Sequence, residues 1–573
     1  MASKDDAAPV NHALDQFQRG SLRNASFIGL LLTQLLTATN DNVFRWLVIG
    51  IGKDYYPDHV SGVLTAGSAC FLLPYLLLAA PAGYLADRFS KRTVIVACKV
   101  AEVVIMAMGI GAILLGVPWL LFVVVALMGG QSALFSPSKL GCIPEMLKAE
   151  KISAANGAIG LTTVISTVVG TVVGLMLSDV TGDKGQKGWW ISAIVLIGIA
   201  LVGWLFSLLI AKLPAADTTR RIPWDAPQQT FRDLRVLASD RPMLRVALGL
   251  AFFWSLGLLA NLNIDQFAME GGALRESDKA PLMIGLVFGI GCGSVLAGIW
   301  SGGKVELGIV PLGAAGIAIS SMLLFTVQGT IITPKESVTF GFVMACLFLT
   351  GLGFSAGLFD IPLSSYMQHR SRPEQRGAIL AASNFLTFSG MLAMSFLYLG
   401  MRTPLASGKP LLSAPQIFLV GGLMTLPVFL YIVCLLPQAT IRFIVWLLSR
   451  TIYRVRIVGR ENLPQSGGAL LVPNHVSWID AIMLLLTTSR PIRIIAHAGN
   501  FDSRLMQWWA NMWGAILIGN NPKAIIRALK TATDALNNGE LVCIFPEGAI
   551  TRTGQLQAFK PGMMRILKGT DAP

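Results

Sequence analysis

The sequence predicts an all-α membrane bundle of twelve transmembrane helices, in two halves of six, followed by a smaller cytoplasmic α/β domain. The first observation is composition: 54% of the 573 residues are hydrophobic, 13% are charged and the mean hydropathy is +0.64. Such a chain is too apolar for water. The second is a series of apolar runs, each long enough to cross about 30 Å of hydrocarbon. The third is a change after Pro437, where short strands alternate with helices.

The apolar runs are separated by polar loops, and the loops after the even-numbered runs are rich in Lys and Arg, as in "DRFSKR" and "HRSRPEQR". The positive-inside rule therefore places both ends of the bundle in the cytoplasm. The twelve runs lie near 26–52, 60–82, 93–116, 118–138, 155–178, 188–212, 244–267, 282–301, 308–329, 338–359, 377–400 and 415–437.

Charge and cysteine patterns exclude several classes of function. The net charge is +14, but the basic residues sit in short loops rather than in one dense tract. They fit membrane topology and anionic lipid better than nucleic acid. The seven cysteines have no C-x-x-C spacing, so we expect no metal site and no disulfide framework. We also expect no cofactor. The polar N-terminus has no short apolar core before a cleavage site, so we expect no cleaved signal peptide.

The two sets of six runs resemble each other. "TNDNVF" and "NIDQFA" each put an aspartate late in the first run of a half, and the spacing from Asp41 to Asp265 equals that from Phe135 to Phe359, 224 residues. A repeat of six and six is typical of transporters that rock two halves around a midplane site. The predicted domains are a tail (1–25), a first half (26–212), a linker (213–243), a second half (244–437), an amphipathic interfacial segment (438–456) and the α/β domain (457–573).

Asp41 lies about 15 residues into the first run, about 22 Å from its start at 1.5 Å per residue. A buried carboxylate costs about 2.5 to 3.5 kcal/mol in a bilayer, so we expect it to face a cavity. Two carboxylates among amides suit a cationic or zwitterionic ligand. A simple ion pair between Asp41 and Arg45, one helical turn on, is the alternative. The predicted substrate-binding residues are Asn40, Asp41, Asn42, Asn261, Asn263, Asp265 and Gln266.

The stretch "GYLADRFSKRTVIV" between the second and third runs resembles the signature G-x-L-a-D-R-x-G-R-R of the major facilitator superfamily, with Ser90 where glycine is usual. The resemblance covers roughly residues 25–437. It implies a gating turn that pairs with a neighbouring helix in one state and releases it in the other. A solvated basic turn that only sets topology is the alternative. The gating residues would be Gly83, Asp87, Arg88, Lys91 and Arg92. Lys99 either pairs with Glu102 or contacts a phosphate. Lys139 either extends its ammonium group to the membrane surface or contacts a phosphate.

In the C-terminal domain, "GALLVPNHVSWIDAIM" predicts a strand, then His475, then a helix that carries Asp480. With this H-x-x-x-x-D spacing, the carboxylate can hold one imidazole nitrogen and leave the other to accept a proton. Ser477 and Asp480 also fit a capping box, and both interpretations can hold at once.

A strand that ends in "FPEG" follows some seventy residues later. Together the two blocks resemble the glycerophospholipid acyltransferase family. The resemblance implies that His475 is the general base, that Asp480 orients it, and that Glu547 and Gly548 help to seat the glycerol-phosphate part of the acceptor. It also implies an acyl donor, either acyl carrier protein or acyl-CoA.

The domain departs from that family in three places. "WGAILIGNNP" lacks the arginine that ends the intermediate block in many members, and Arg552 comes later than usual. The sequence stops at "LKGTDAP", where a V-I-P-V-like strand is expected next. We therefore expect the acyltransferase domain to be incomplete and weakly active or inactive alone.

The whole arrangement resembles bacterial lysophospholipid transporters joined to a 2-acylglycerophosphoethanolamine acyltransferase. The implied function is transport of lysophosphatidylethanolamine or lysophosphatidylglycerol from the outer to the inner leaflet of the bacterial inner membrane, followed by re-acylation. The implied partners are the lysophospholipid and membrane lipid. An exporter of drugs or other amphiphiles with a non-catalytic appendage is the alternative.

Overall fold

The structure is a computed structural model. It describes residues 22–573 except 148, 216–217, 220–224, 302–304, 333–338, 372–375, 407, 454, 460–461, 465, 489 and 552. The chain divides into two compact units. The first holds the described residues up to Val305 together with Leu312–Phe429, and the second holds Glu306–Pro311 and Leu430–Pro573. Arg552 and nearly all of the predicted tail 1–25 lie outside the described residues.

The first unit is helical. Its helices, of which α11 and α14 also reach into the second unit, are α1 (Ala25–Tyr55), α2 (Val60–Leu77), α3 (Ala79–Arg88), α4 (Lys91–Leu115), α5 (Pro118–Met146), α6 (Ala149–Thr181), α7 (Trp189–Ser207), α8 (Ala226–Ser239), α9 (Arg241–Glu270), α10 (Ala280–Ser301), α11 (Val310–Thr326), α12 (Phe340–Arg370), α13 (Arg376–Met401) and α14 (Ala414–Leu435). Short 3₁₀ helices occupy Pro57–His59, Asp183–Gly185 and Glu276–Lys279.

Within the described residues, eleven helices are long and apolar enough to cross a membrane. The predicted first run is the remaining one: α1 has 31 residues, but Asn40, Asp41, Asn42 and Arg45 interrupt its apolar sequence near the middle. The predicted second run is broken, since α2 ends at Leu77 and α3 begins at Ala79. The predicted membrane bundle with a C-terminal α/β region is confirmed.

Glycines allow the helices of each half to pack closely, as is common in membranes. A Cβ on Gly170 of α6 would stand 2.5 Å from the carbonyl oxygen of Thr39 in α1. In the second half, a Cβ on Gly353 of α12 would stand 1.9 Å from the carbonyl oxygen of Leu286 in α10. These contacts fix α1 and α10, which carry residues of the site, against their neighbours.

The second unit contains a four-stranded parallel sheet in the order β1-β4-β2-β3. Leu470, Ile495 and Val542 face one core, and Ala469, Ile492 and Leu541 face the other. The elements of this unit are a 3₁₀ helix (Leu307–Ile309), α15 (Pro437–Leu448), a π-helical turn (Ser449–Tyr453), β1 (Ala469–Leu471), α16 (Asp480–Leu484), β2 (Ile492–His497), a 3₁₀ helix (Ala498–Asn500), α17 (Arg504–Met512), β3 (Ile516–Ile518), α18 (Pro522–Asn537), β4 (Leu541–Cys543) and α19 (Gly562–Leu567).

Candidate functional site

The first unit encloses a cavity of about 320 Å³ between residues of both halves. We call it the central cavity. Its wall is mostly apolar and includes Phe253 and Trp254 of α9. The cavity therefore offers a few fixed polar groups in an apolar wall, which is the usual character of a site for an amphiphilic ligand. The polar residues in the wall are Asn42, Arg45, Thr163, Thr167, Asn261, Asn263, Ser321 and Asp360.

Three of the seven predicted substrate-binding residues line this cavity, namely Asn42, Asn261 and Asn263. Asn42 donates to the Ala38 carbonyl oxygen in its own helix at 2.8 Å. Asn263 donates to the Ala414 carbonyl oxygen at 2.8 Å, while its Oδ1 is buried without a hydrogen-bond partner among the described residues. Their roles in binding stay predictions.

Asp41 and Asn40 do not line the central cavity; each faces other residues of the first half. The Ser132 hydroxyl donates to Asp41 Oδ2 at 2.6 Å. Asn40 donates to Glu102 Oε1 at 2.9 Å, and Lys99 Nζ lies 2.5 Å from Glu102 Oε2. Lys99 and Glu102 are therefore a buried mutual ion pair, which is the simpler of the two interpretations that the sequence left open.

Arg45 makes no direct salt bridge with Asp41, although Asp41 attracts the guanidinium electrostatically, so the predicted alternative of a local ion pair is not seen as a direct contact. No salt bridge joins the two in the described part of the chain, although they lie one turn apart on α1. Instead, Arg45 Nη2 donates across to Asn261 Oδ1 of the second half at 3.3 Å. The i, i+4 spacing alone could not show this, because the side chains point to different neighbours.

Asp265 lies in a buried group of charges that joins the two halves. Its Oδ1 is 2.5 Å from Lys53 Nζ and 2.9 Å from Lys279 Nζ, and Glu276 completes the group at 3.0 Å from Lys53 and 2.8 Å from Lys279. We call these four residues the ionic cluster. Asp265 is fully buried and already neutralised by two lysines. Asp265 therefore does not line the central cavity, whereas we expected it to lie with Asp41 in the polar wall of a substrate site.

Further contacts extend the ionic cluster on both sides. Asp179 of α6 accepts hydrogen bonds from the backbone N–H groups of Glu276 and Ser277 at 2.9 and 2.8 Å. Gln266 donates to Asp265 at 3.1 Å and accepts from Arg402 at 2.9 Å. The sequence analysis missed Lys53, Glu276 and Lys279, since charges near the end of a run are also typical of loops.

The predicted gating turn lies between α3 and α4. Lys91 forms an ion pair with Glu145 of α5, and Arg92 donates to the Leu208 carbonyl oxygen at 2.9 Å. Ser90 has a φ of −57°, so the backbone there does not need the usual glycine. A Cβ on Gly83 would meet no atom within 4 Å. Asp87 also has an interaction partner, and Arg88 is the last residue of α3. The gating role of these five residues stays a prediction.

In the second unit, sheet register brings the two acyltransferase motifs together. Ala469 of β1 pairs with Leu541 of β4, and His475 and Glu547 each come six residues after these partners. Because the strands are adjacent and parallel, both residues emerge at the same edge of the sheet. The backbone N–H of His475 donates to Glu547 Oε1 at 2.9 Å, which confirms that proximity.

His475 Nδ1 lies 3.1 Å from Asp480 Oδ2. The same oxygen accepts the backbone N–H groups of Val476 and Ser477 at 2.7 and 2.8 Å. Partial burial raises the pKa of Asp480, but these hydrogen bonds and the nearby imidazole lower it more, so the pKa is below its ordinary value. The ionised carboxylate only accepts, so in the neutral imidazole Nδ1 carries the proton and Nε2 has a lone pair. Asp480 thus holds the imidazole and caps the start of the helix with the same carboxylate oxygen, so both interpretations of the sequence apply.

Glu547 is 3% exposed, and both of its oxygens accept backbone hydrogen bonds. Besides His475, the N–H of Gln557 donates to Oε2 at 3.1 Å. The His475 ring also stacks on Phe545, with ring centroids 4.0 Å apart. These contacts hold the imidazole in place, so Glu547 positions the loop of the base; a direct role in seating glycerol phosphate stays a prediction.

Gly548 has a φ of +69°, which favours glycine. A Cβ there would stand 2.7 Å from Lys560 Nζ. Lys560 is therefore a basic residue at the edge of the site that the motif search missed, since it comes well after the "FPEG" block in the sequence.

Two family models match the chain. The Major Facilitator Superfamily model matches residues 30–395, and a model described as Acyltransferase matches residues 454–573. Lysophospholipid transporter LplT of Pectobacterium carotovorum is 26% identical over 383 residues, which cover 66% of this chain and 86% of that protein. LplT of Cronobacter sakazakii is 25% identical over 391 residues, covering 67% and 90%.

Solved structures show the same fold for the membrane unit. A POT family transporter in complex with 5-aminolevulinic acid has a TM-score of 0.59 at 11% identity and covers 74% of this chain and 98% of its own. A D-xylose-proton symporter has a TM-score of 0.55 at 15% identity and covers 71% and 96%. The superfamily model alone covers more than half of the residues, so the chain belongs to the Major Facilitator Superfamily and carries an acyltransferase domain in residues 454–573.

Proposed function

We propose that this protein moves lysophosphatidylethanolamine and lysophosphatidylglycerol from the outer to the inner leaflet of a bacterial inner membrane, where its acyltransferase domain re-acylates them. The central cavity carries the proposal. It lies between the two halves, has Asn42, Arg45 and Asn261 in its wall and is otherwise mostly apolar. A lipid with one tail and a compact polar head has the same two-part character.

The relatives named lysophospholipid transporter support this choice of substrate. The basic loops support an orientation with both ends of the bundle in the cytoplasm, which is the side where acyl carrier protein and acyl-CoA are made. In this arrangement, a lysolipid that reaches the inner leaflet meets the domain that can acylate it.

The acylation step follows from the His475 site. Nε2 of His475 would accept the proton of the lysolipid hydroxyl while that oxygen attacks the carbonyl carbon of an acyl thioester. The tetrahedral intermediate then collapses, the C–S bond breaks and the thiolate leaves, taking up the proton held on the imidazole. The free thiol and the diacyl lipid are the products, and no covalent enzyme intermediate is formed.

Uptake in spheroplasts tests the transport step. Labelled lysophosphatidylethanolamine is added from outside, and the fraction that albumin can no longer extract is measured with and without an uncoupler. We expect the protein to raise this fraction several-fold over a strain that lacks it. Equal transport of soluble drugs, with no lysolipid movement, would instead indicate an exporter of other amphiphiles.

A further inference from the structure

Arg45 is the cation among the described residues that line the central cavity. It sits on α1 in the first half, and its contact with Asn261 spans the two halves. That hydrogen bond is long, at 3.3 Å, and its acceptor is a neutral amide. Arg45 Nε is inaccessible to solvent and has no hydrogen-bond partner among the residues that the structure describes. Nε and Nη2 lie on the same edge of the guanidinium, the edge that binds an anion through two parallel hydrogen bonds.

The acidic residues nearby do not satisfy this edge. Asp41 attracts Arg45 electrostatically, but its Oδ2 accepts from Ser132 and it makes no salt bridge to Arg45. Asp360 borders the same cavity, but it is bonded to Ser364 and to Trp254. Trp254 and Asn261 are seven residues apart on α9, which is about 10 Å along a helix. Asp360 meets α9 at Trp254 and Arg45 meets it at Asn261, and no salt bridge joins the two side chains among the described residues.

A guanidinium in a membrane protein needs an anion or water, since a charge left alone in hydrocarbon is costly. The planar fork of arginine matches the oxygen geometry of a phosphate. Lysophosphatidylethanolamine and lysophosphatidylglycerol differ in their head groups but share one phosphodiester and one acyl chain. The cavity wall contains Arg45, Asp360, neutral amides and many apolar side chains. Asp360 is held by Ser364 and Trp254, so Arg45 is the group that can recognise the phosphodiester that the two lipids share.

We propose that Arg45 binds the phosphodiester of the lysolipid in the central cavity through its Nε and Nη2 groups. As the ligand enters, Asn261 releases Nη2 and the guanidinium turns so that the buried Nε also faces the cavity. This inference rests on the proposed function and adds the chemical group that is recognised. It implies that the protein selects for a phosphate with an attached chain and tolerates either head group.

Binding to purified protein in nanodiscs tests the proposal. Tritiated lysophosphatidylethanolamine is the probe, and the competitors are lysophosphatidylglycerol, a monoacylglycerol of the same chain length, glycerophosphoethanolamine and inorganic phosphate. For the wild type we expect strong competition by lysophosphatidylglycerol, weak competition by the neutral monoacylglycerol and none by the two chain-free phosphates. Competition by inorganic phosphate at the lipid's own concentration would indicate a free-phosphate site and overturn the proposal.

Arg45→Gln should weaken binding of both lysophospholipids by about 10- to 100-fold, the usual loss for a hydrogen bond to a charged group. Its affinity for monoacylglycerol should not change, and Arg45→Lys should lie in between because lysine keeps the charge without the fork. Arg245→Gln is the control, since Arg245 is an exposed arginine on α9 that does not line the cavity.

The melting temperature gives a second readout. Arg45 has no salt bridge among the described residues, and a glutamine at this position can still donate to Asn261. Arg45→Gln should therefore leave the melting temperature unchanged or raise it, and a marked drop would indicate a structural ion pair and overturn the proposal. If Arg45→Gln bound lysolipid as tightly as the wild type, the proposed role of Arg45 would be overturned while the proposed function would stand. Absence of saturable lysolipid binding by the wild type would overturn the proposed function together with that role.

Discussion

Lys53 Nζ of α1 lies 2.5 Å from Asp265 Oδ1 of α9, and this pair joins the two halves of the bundle. Lys279 and Glu276 complete the ionic cluster on the side of the second half. Four charges of alternating sign within hydrogen-bonding distance stabilise one another in a low dielectric, provided that all four stay together. If the halves separate at this end of the bundle, Lys53 leaves Asp265 and Glu276 behind. The cluster is thus suited to holding one end of the transporter closed.

Lys53→Met should weaken that closure. The substitution leaves Asp265 with one lysine instead of two, and removal of one partner of a buried pair typically costs about 3 to 5 kcal/mol. Part of that cost is relieved when the halves open and water reaches the carboxylates, so the open state gains population. A cysteine placed at Ser277 should therefore react with a membrane-impermeant maleimide at least several-fold faster in Lys53→Met than in the wild type.

Lys187→Met is the matched control, because Lys187 is exposed in the loop before α7. It should leave the labelling rate unchanged. If Lys53→Met also leaves the rate unchanged, the ionic cluster is only a static structural contact.

His475→Ala should lower the rate of acyl transfer in membranes that contain the protein, even where the wild-type rate is low. A general base contributes about 100- to 10,000-fold to a rate, so the loss should be at least 100-fold. Uptake of lysolipid should remain. The measurement is conversion of labelled lysophosphatidylethanolamine to the diacyl lipid with acyl carrier protein or acyl-CoA as donor.

His497→Ala is the control for that experiment, since His497 is the last residue of β2 and bonds to Asn520 instead of a carboxylate. It should retain most of the activity. Acyl transfer that survives His475→Ala would mean that the imidazole is not the base.

Glu547→Gln should destabilise the domain and slow acyl transfer together. Each carboxylate oxygen accepts a backbone N–H, one from His475 and one from Gln557. A glutamine keeps one acceptor but turns a donor toward the other N–H, and an unsatisfied buried donor costs about 1 to 3 kcal/mol. We expect a lower melting temperature for this domain and a reduced turnover number with little change in KM for the acceptor.

Glu540→Gln is a suitable comparison, because Glu540 makes a partly exposed ion pair with Arg493 and such pairs contribute little. A rise in KM for the acceptor at unchanged stability in Glu547→Gln would instead indicate direct contact with the glycerol phosphate, as the family resemblance implies.

The acyltransferase site and the ionic cluster differ in how far the sequence predicts them. His475 and Asp480 are five residues apart, and the partner motif follows a second parallel strand, so local spacing and strand register place all three groups. Lys53 and Asp265 are 212 residues apart. Their contact depends on how two six-helix halves pack, and helical periodicity says nothing about that. The same reason applies to Arg45, whose hydrogen bond to Asn261 joins residues 216 positions apart in the sequence.

Substitutions at Asp41 and Ser132 can separate the effect of the Asp41 charge from the effect of its hydrogen bond to Ser132. The Ser132 hydroxyl donates to Asp41 Oδ2 at 2.6 Å, while Asp41 Oδ1 is buried without a hydrogen-bond partner among the described residues. Asp41→Asn keeps an oxygen that can accept from Ser132 but removes the charge, whereas Ser132→Ala keeps the charge and removes the hydrogen bond. If a carboxylate is required during transport, Asp41→Asn should reduce lysolipid uptake at least tenfold and Ser132→Ala only a few-fold. The spheroplast assay measures both at matched expression. The reverse order of effects would show that Asp41 only fixes α1 against α5, and its predicted role in substrate binding would then be wrong.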